Sequence, residues 1–134
     1  MKAFVLTALL LVATTPCQAI TVDVTDLTPE IDQVMQGSPV HHTATFVMEC
    51  GQFDEPTIFK YYIWIEQGFD NPSVIYKSNV ESVTLQPGEI LATSLAKLKY
   101  LPASGDYRVC ATVYAVVDGP NPIDIDSHPY FVRE

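Results

Sequence analysis

Short segments in which apolar and polar residues alternate make up most of the chain after residue 19. They are rich in Val, Ile, Tyr, Phe and Thr, and clusters of Gly, Pro, Asn and Asp separate them, which is typical of β-strands joined by turns. We expect strands at residues 20–24, near Val34, and at 42–50, 58–66, 73–76, 81–85, 90–98, 107–117 and 129–133. Seven to nine short strands at this spacing predict an all-β protein with an antiparallel β-sandwich fold.

Two of the predicted strands divide cleanly into two faces, because successive side chains of a strand point to opposite sides of its sheet. The apolar set of each strand should face the core. These core side chains are Phe59, Tyr61, Ile63, Ile65, Tyr107, Val109, Ala111 and Val113. The opposite faces carry Lys60, Tyr62, Trp64 and Glu66 in the first strand and Arg108, Cys110, Thr112 and Tyr114 in the second.

The first nineteen residues have the pattern of a secretory signal peptide. A short basic start precedes an apolar run over residues 3–13, and Cys17 and Ala19 place small residues before the expected cleavage point. The apolar run is well short of the roughly 20 residues that span a bilayer. We therefore expect cleavage after Ala19, secretion to an extracellular or periplasmic compartment without membrane insertion, and a single domain over residues 20–134.

Signal cleavage leaves two of the three cysteines, Cys50 and Cys110, in an oxidising compartment. A disulfide between them is the expected state, and closing a loop of about sixty residues would stabilise the fold by roughly 4 kcal/mol. The alternation conflicts with a simple bridge, since Cys50 should point into the core and Cys110 away from it. Either a β-bulge reverses the register near one cysteine, or Cys50 reaches round from its strand end beside Gly51.

The chain is acidic, with 7 Lys and Arg against 16 Asp and Glu and a net charge of −9. Removing Lys2 with the signal leaves 6 against 16, or −10. Proteins that neutralise phosphates need clustered basic residues, so nucleic acid and anionic membranes are not expected partners.

No catalytic or phosphate-binding motif is present, and no cofactor is expected. The neighbouring His41 and His42 should point to opposite faces of one strand and cannot share a metal ion. We therefore expect no enzyme activity.

The acidic segment 118–126 is a candidate calcium site, because hard cations take several oxygen ligands. We expect it to be a loop, with Asp118, Asp124 and Asp126 as candidate ligands and Asp54 or Glu55 available to complete the set. Acidic loops on acidic proteins mostly face water, so no metal site is favoured.

Several motifs resemble those of immunoglobulin-like (Ig-like) domains. The order Cys50, Trp64, Cys110 resembles the Cys, Trp, Cys order of Ig domains. The segments 83–89, 100–102 and 104–113 are similar to the "L-x-PGE … P-x-G-x-Y-x-V-x-A-x-V" stretch of CARDB-like and related secreted modules. One departure is that Ig variable domains place a corner tyrosine two residues before the second cysteine, whereas Arg108 holds that position here. The resemblance implies an Ig-like β-sandwich.

Ig-like topology would also place Arg108 and Tyr114 beside Tyr62 and Trp64. These four residues are our candidate ligand-binding set, because exposed aromatics with charged neighbours suit recognition. The alternative is that Trp64 is buried over the disulfide, as in Ig domains.

The leading functional hypothesis is a secreted, non-catalytic binding or adhesion module that recognises a protein or a surface carbohydrate. It would bind through the outer-face aromatics or through the loops at one end of the sandwich. One alternative is a carrier of a lipid or small hydrophobic ligand, related in type to MD-2. Another is a structural component that pairs with a partner through a sheet edge.

Overall fold

The computed structural model describes residues 21–28, 33–100, 103–118 and 123–133. The predicted signal peptide, residues 1–19, lies outside them. The described residues form nine strands and a short 3₁₀ turn, Val116–Asp118. The strands are β1 (Thr21–Thr28), β2 (Gln33–Met35), β3 (Pro39–Glu49), β4 (Thr57–Gln67), β5 (Ser73–Lys77), β6 (Glu81–Leu85), β7 (Ile90–Tyr100), β8 (Gly105–Ala115) and β9 (Asp124–Arg133). The predicted all-β fold is confirmed.

The strands form two sheets. The small sheet has the order β1-β3-β7, and the large sheet has the order β2-β9-β8-β4-β5, with β6 also paired to β4. All pairings are antiparallel except that of β2 with β9, which is parallel. The long strand β4 pairs with β5 along its second half and with β6 along its first half. This arrangement is an Ig-like sandwich in which β4, β8 and β9 form the centre of the large sheet.

The core lies between the sheets and is built by the alternation of β3, β4 and β8. In each strand the inward side chains recur at every second position, and most of them are buried and apolar, with His42 of β3 and Thr57 of β4 as buried polar exceptions. The predicted inward faces of β4 and β8 are confirmed, with Tyr61 only partly buried at the margin. The largest fully buried apolar side chains are Tyr107, Phe46, Phe59, Met48, Ile63 and Ile65.

A tyrosine corner begins β8. The Tyr107 hydroxyl donates to the carbonyl oxygen of Ala103 at 2.7 Å, and its ring stacks on Tyr130 at a centroid distance of 5.8 Å. Gly105, with φ of +136°, allows the turn between them. The corner holds Tyr107 inward, so Cys110, three residues further along an unbulged strand, lies on the opposite face.

The last strand starts earlier than predicted. We expected it to begin at Pro129, but β9 pairs with β8 from Asp124 onward. The predicted loop over residues 118–126 is therefore wrong at its second half, since Asp124 and Asp126 are strand residues. Their polarity obscured the strand in the sequence, whereas backbone pairing with β8 stabilises it whatever the side chains are.

No helix within the described part of the chain is long and apolar enough to cross a membrane.

Candidate binding surface

The outer face of the large sheet brings together the four candidate ligand-binding residues. The pairing of β4 with β8 places Tyr62 opposite Thr112, Trp64 opposite Cys110, Glu66 opposite Arg108 and Lys60 opposite Tyr114. Because directly opposite residues of antiparallel strands share a face, all eight side chains lie on the side away from the core. We call this outer side of β4, β5, β8 and β9 the aromatic face.

The aromatic rings lie over the sheet rather than standing clear of it. Tyr62, Trp64 and Tyr114 are half-buried, and the centroids of the Tyr62 and Trp64 rings are 5.5 Å apart. Beneath them, Cys110 and Thr112 are only 3% and 1% exposed although they face outward. Trp64 thus lies on the outer face, as the alternation predicts, and is partly covered rather than fully exposed.

Charged side chains hold the rings in place. The Trp64 Nε1 donates to Glu66 Oε1 at 2.8 Å, and the Lys77 ammonium lies 4.4 Å from the centre of the Tyr62 ring. The Arg108 guanidinium lies 5.1 Å from the ring centre of Phe69, in the turn after β4. Cations over ring faces attract the ring quadrupole by about 0.5–1 kcal/mol at exposed sites. The rings are therefore pre-oriented.

Two residues of this face were missed from the sequence. Lys77 lies directly opposite Trp64, and Phe69 lies under Arg108. The register between β4 and β5 shifts between Ile65 and Glu66. The sequence does not show this shift, so the residue of β4 that lies opposite Lys77 could not be predicted. Only the short separation in sequence between Trp64 and the 68–72 turn could have indicated that Phe69 lies near this face.

The expected disulfide is not formed in the structure, and this corrects the sequence prediction. Cys50 and Cys110 are both free and buried. Cys50 packs with Phe59 and Leu85 between the sheets, whereas Cys110 lies under the aromatic face. The pairings of β8 run without a bulge, so the large sheet itself separates the two sulfur atoms.

We expect the two thiols to be protected in the folded protein. Burial and the nearby Glu66 carboxylate raise the pKa of the Cys110 thiol to about 12, although Arg108 opposes this, so little reactive thiolate forms. N-ethylmaleimide without reductant should leave folded 20–134 unmodified and add two labels in denaturant, read by intact mass. Labelling in denaturant that requires prior reduction would show a disulfide.

Two of the three calcium candidates, Asp124 and Asp126, accept hydrogen bonds from backbone N–H groups. Asp124 Oδ2 accepts from the backbone N–H of Val24 at 2.7 Å, and Asp126 Oδ1 accepts from the N–H of Ser127 at 2.9 Å. The side chain of Asp118 lies outside the described set. Within that set, no group of three or more His, Cys, Asp or Glu side chains is placed to hold a metal ion. Asp124 instead joins the large sheet to the edge of the small one.

Comparison with solved structures supports the fold. A β-glucosidase from Listeria innocua, solved with gluconolactone, matches with a TM-score of 0.53 and 14% identity over 86% of this chain and 16% of its own. The CARDB domain of the PF1109 protein from Pyrococcus furiosus, solved with di-metal ions, matches with a TM-score of 0.52 and 16% identity over 85% of this chain and 87% of its own. Spo0M, a sporulation control protein from Bacillus subtilis, matches with a TM-score of 0.51 and 18% identity over 87% of this chain and 50% of its own.

These likenesses show the fold alone, because the identities are low. The chain spans about a sixth of the β-glucosidase, so it corresponds to one part of that enzyme. The CARDB domain is matched over nearly its whole length, which confirms the Ig-like resemblance that the sequence motifs indicated. No family model and no curated protein matches the sequence.

Proposed function

We propose that the protein is a secreted, non-catalytic Ig-like binding module that recognises a protein or a surface carbohydrate through its aromatic face. The observation that carries the proposal is the cluster of half-buried Tyr62, Trp64 and Tyr114, in which charged neighbours orient Tyr62 and Trp64. Rings fixed in one orientation lose little entropy on binding, and aromatic side chains dominate the energetics of recognition surfaces.

Apolar side chains extend this face beyond the three rings. Val74 lies opposite Glu66, and Ile125 lies opposite Thr112. Both are exposed, as are Phe69 and Phe131. A contiguous apolar patch rimmed by polar residues is the usual mark of an interaction surface.

Core packing supports a binding module over a carrier of a hydrophobic ligand. A carrier must keep an apolar cavity between its sheets. Here Phe46, Met48, Phe59 and Ile63 belong to one cluster of buried side chains that occupies the inter-sheet space.

The edge of β7 favours a second candidate function, assembly by strand pairing. β7 pairs with β3 over eleven residues in unbroken register and has no partner strand on its other side within the described chain. A long unpaired edge can accept a strand from a partner. At the opposite edge of the same sheet, β1 is bulged near Val24, whose N–H is already bound by Asp124. Sedimentation of the purified protein over a range of concentrations tests self-assembly through this edge.

Trp64 is the single tryptophan, so its emission reports directly on the proposed site. We expect a bound partner to shift or quench that emission. Changing Trp64 to alanine should weaken binding at least tenfold, or about 1.4 kcal/mol, while Trp64→Phe retains most of it. Binding of the variants is measured by calorimetry.

Phe53 provides the matched control, since it is an aromatic residue in the 51–56 loop and 73% exposed. Phe53→Ala should leave affinity unchanged. Loss of binding in Phe53→Ala with full binding in Trp64→Ala would place the site in the loops and reject the aromatic face.

A further inference from the structure

Basic residues are concentrated on the aromatic face. Lys60 and Arg108 lie on it through the pairing of β4 with β8, and Lys77 lies opposite Trp64. Arg133 is exposed on the same side of β9, four residues beyond Pro129, which lies opposite Arg108. These are four of the seven basic residues in the chain.

Acidic residues are scarce on the same face. Within its described strands the acidic side chains are Glu66 and Asp106, out of 16 in the chain. The four basic and two acidic side chains give the strands of this face a net charge of +2, or +1 when Asp70 beside Phe69 in the adjoining turn is included, whereas the whole chain has −9. The Glu66 carboxylate is moreover bound to the Trp64 indole. The fold thus gathers a small positive surface onto a strongly negative protein.

This charge distribution restricts the partner. An anionic molecule is repelled by the net negative charge of the rest of the chain and attracted by this face, which orients its approach. A neutral partner would gain no electrostatic attraction from this separation of charge, and a cationic partner would be attracted to the acidic surfaces instead. The complementary partner therefore carries negative charge.

The rings favour a saccharide as the bearer of that charge. The Trp64 N–H is already bound to Glu66, so a ligand meets this half-buried residue through its ring face, whereas the Lys77 ammonium already lies over the Tyr62 ring. A ring face carries negative potential and attracts the positively polarised C–H groups of a sugar ring. Lys77 lies directly opposite Trp64 and beside Tyr62, so its ammonium can pair with an acidic group on a sugar stacked on Trp64.

We propose that the aromatic face binds an anionic polysaccharide, with a sugar ring stacked on Trp64 and carboxylate or sulfate groups paired with Lys60, Lys77 and Arg108. This inference rests on the proposed binding function and names its ligand class. The carboxylate and sulfate forms share the same recognition chemistry, and separate probes distinguish them.

The test titrates the purified protein with polygalacturonate, its fully methyl-esterified form and dextran sulfate, following Trp64 emission. At least one anionic polymer should bind at least tenfold more tightly than the uncharged ester, and its affinity should fall at least tenfold between 50 and 500 mM salt, since exposed charges are screened. Lys60→Gln and Arg108→Gln should each weaken binding at least threefold. Lys97→Gln, on β7 in the other sheet, is the matched control and should not.

Other outcomes overturn the inference. Equal affinity for the methyl ester, no binding of either anionic polymer, or equal or tighter binding of polyglutamate or single-stranded oligothymidylate would each reject an anionic saccharide. The protein could instead bind a neutral glycan or another protein, with an affinity that does not depend on salt but still requires Trp64. That result would reject an anionic polysaccharide as the ligand and leave the proposed function standing. The Trp64→Ala variant has no tryptophan emission, so its binding is measured by calorimetry, and anionic binding that survives this substitution unchanged would reject both.

Discussion

Replacing Phe46 with alanine is expected to destabilise the protein by about 3–5 kcal/mol. Phe46 is 0% exposed at the middle of β3, opposite Val24 of β1 and Thr93 of β7. Its ring contacts Tyr61 across the core at a centroid distance of 5.0 Å. The truncation removes these contacts and leaves a cavity that strands on three sides cannot close. For a domain whose total stability is about 5–15 kcal/mol, this is a large fraction.

Thermal unfolding followed by circular dichroism measures this effect, and the midpoint should fall by on the order of 10–20 °C. Phe53→Ala makes the same chemical change at an exposed loop position and should shift stability by less than about 1 kcal/mol. Similar losses in the two variants would mean that Phe46 is not the centre of the packed core.

The alternation of side chains predicted the faces of β4 and β8 because a period of two leaves only two assignments. Once Phe59 and Ile63 are placed inward, Tyr62 and Trp64 must lie outward, and no knowledge of the partner strand is needed. The same count showed that Tyr107 and Cys110 face opposite sides. The tyrosine corner settles which of them is inward, since the hydroxyl of Tyr107 binds Ala103.

Contacts between distant parts of the chain could not be predicted in this way. The side-chain contact of Asp124 is an example, because its partner, the N–H of Val24, lies one hundred positions away on the other sheet. The alternation through Ala44, Phe46 and Met48 could have placed His42 inward, but nothing in the sequence pairs it with Tyr130. Buried polar groups are stabilised by specific partners, and those partners appear only when the sheets are assembled.

The gathering of basic residues on one face also arises from assembly. Lys60, Lys77, Arg108 and Arg133 are spread over more than seventy positions and form no basic cluster in the sequence. Antiparallel pairing of β4 with β5 and β8, and of β8 with β9, places all four on one side. A chain whose net charge argues against polyanions can therefore still carry a local surface that attracts them.

His42 makes the stability of the fold dependent on pH. Its side chain is 0% exposed on the inner side of β3, and a hydrogen bond of 2.6 Å joins its Nε2 to the hydroxyl of Tyr130. Burial lowers the pKa of His42 from 6.5 to about 4, although the backbone of Lys97 and Val40 opposes the shift. The imidazole is thus neutral in the folded protein at pH 7, because a charge there would be cut off from water.

A lowered histidine pKa means that the unfolded chain takes up a proton between pH 6.5 and 4 while the folded protein does not. The free energy of unfolding should therefore fall by about 2–3 kcal/mol as the pH decreases through this range, and the contribution of His42 should be fully present above pH 6.5.

Carboxylates also titrate in this pH range, so the test compares urea unfolding at pH 7 and pH 4.5 in wild type and in His42→Gln. The variant should lose most of this pH-dependent difference, whereas His41→Gln, at the exposed neighbouring position, should retain it. Tyr130→Phe keeps the buried imidazole and should also retain it, which separates titration of His42 from loss of its hydrogen bond. An equal pH dependence in wild type and His42→Gln would show that the imidazole is not the group whose protonation opposes folding.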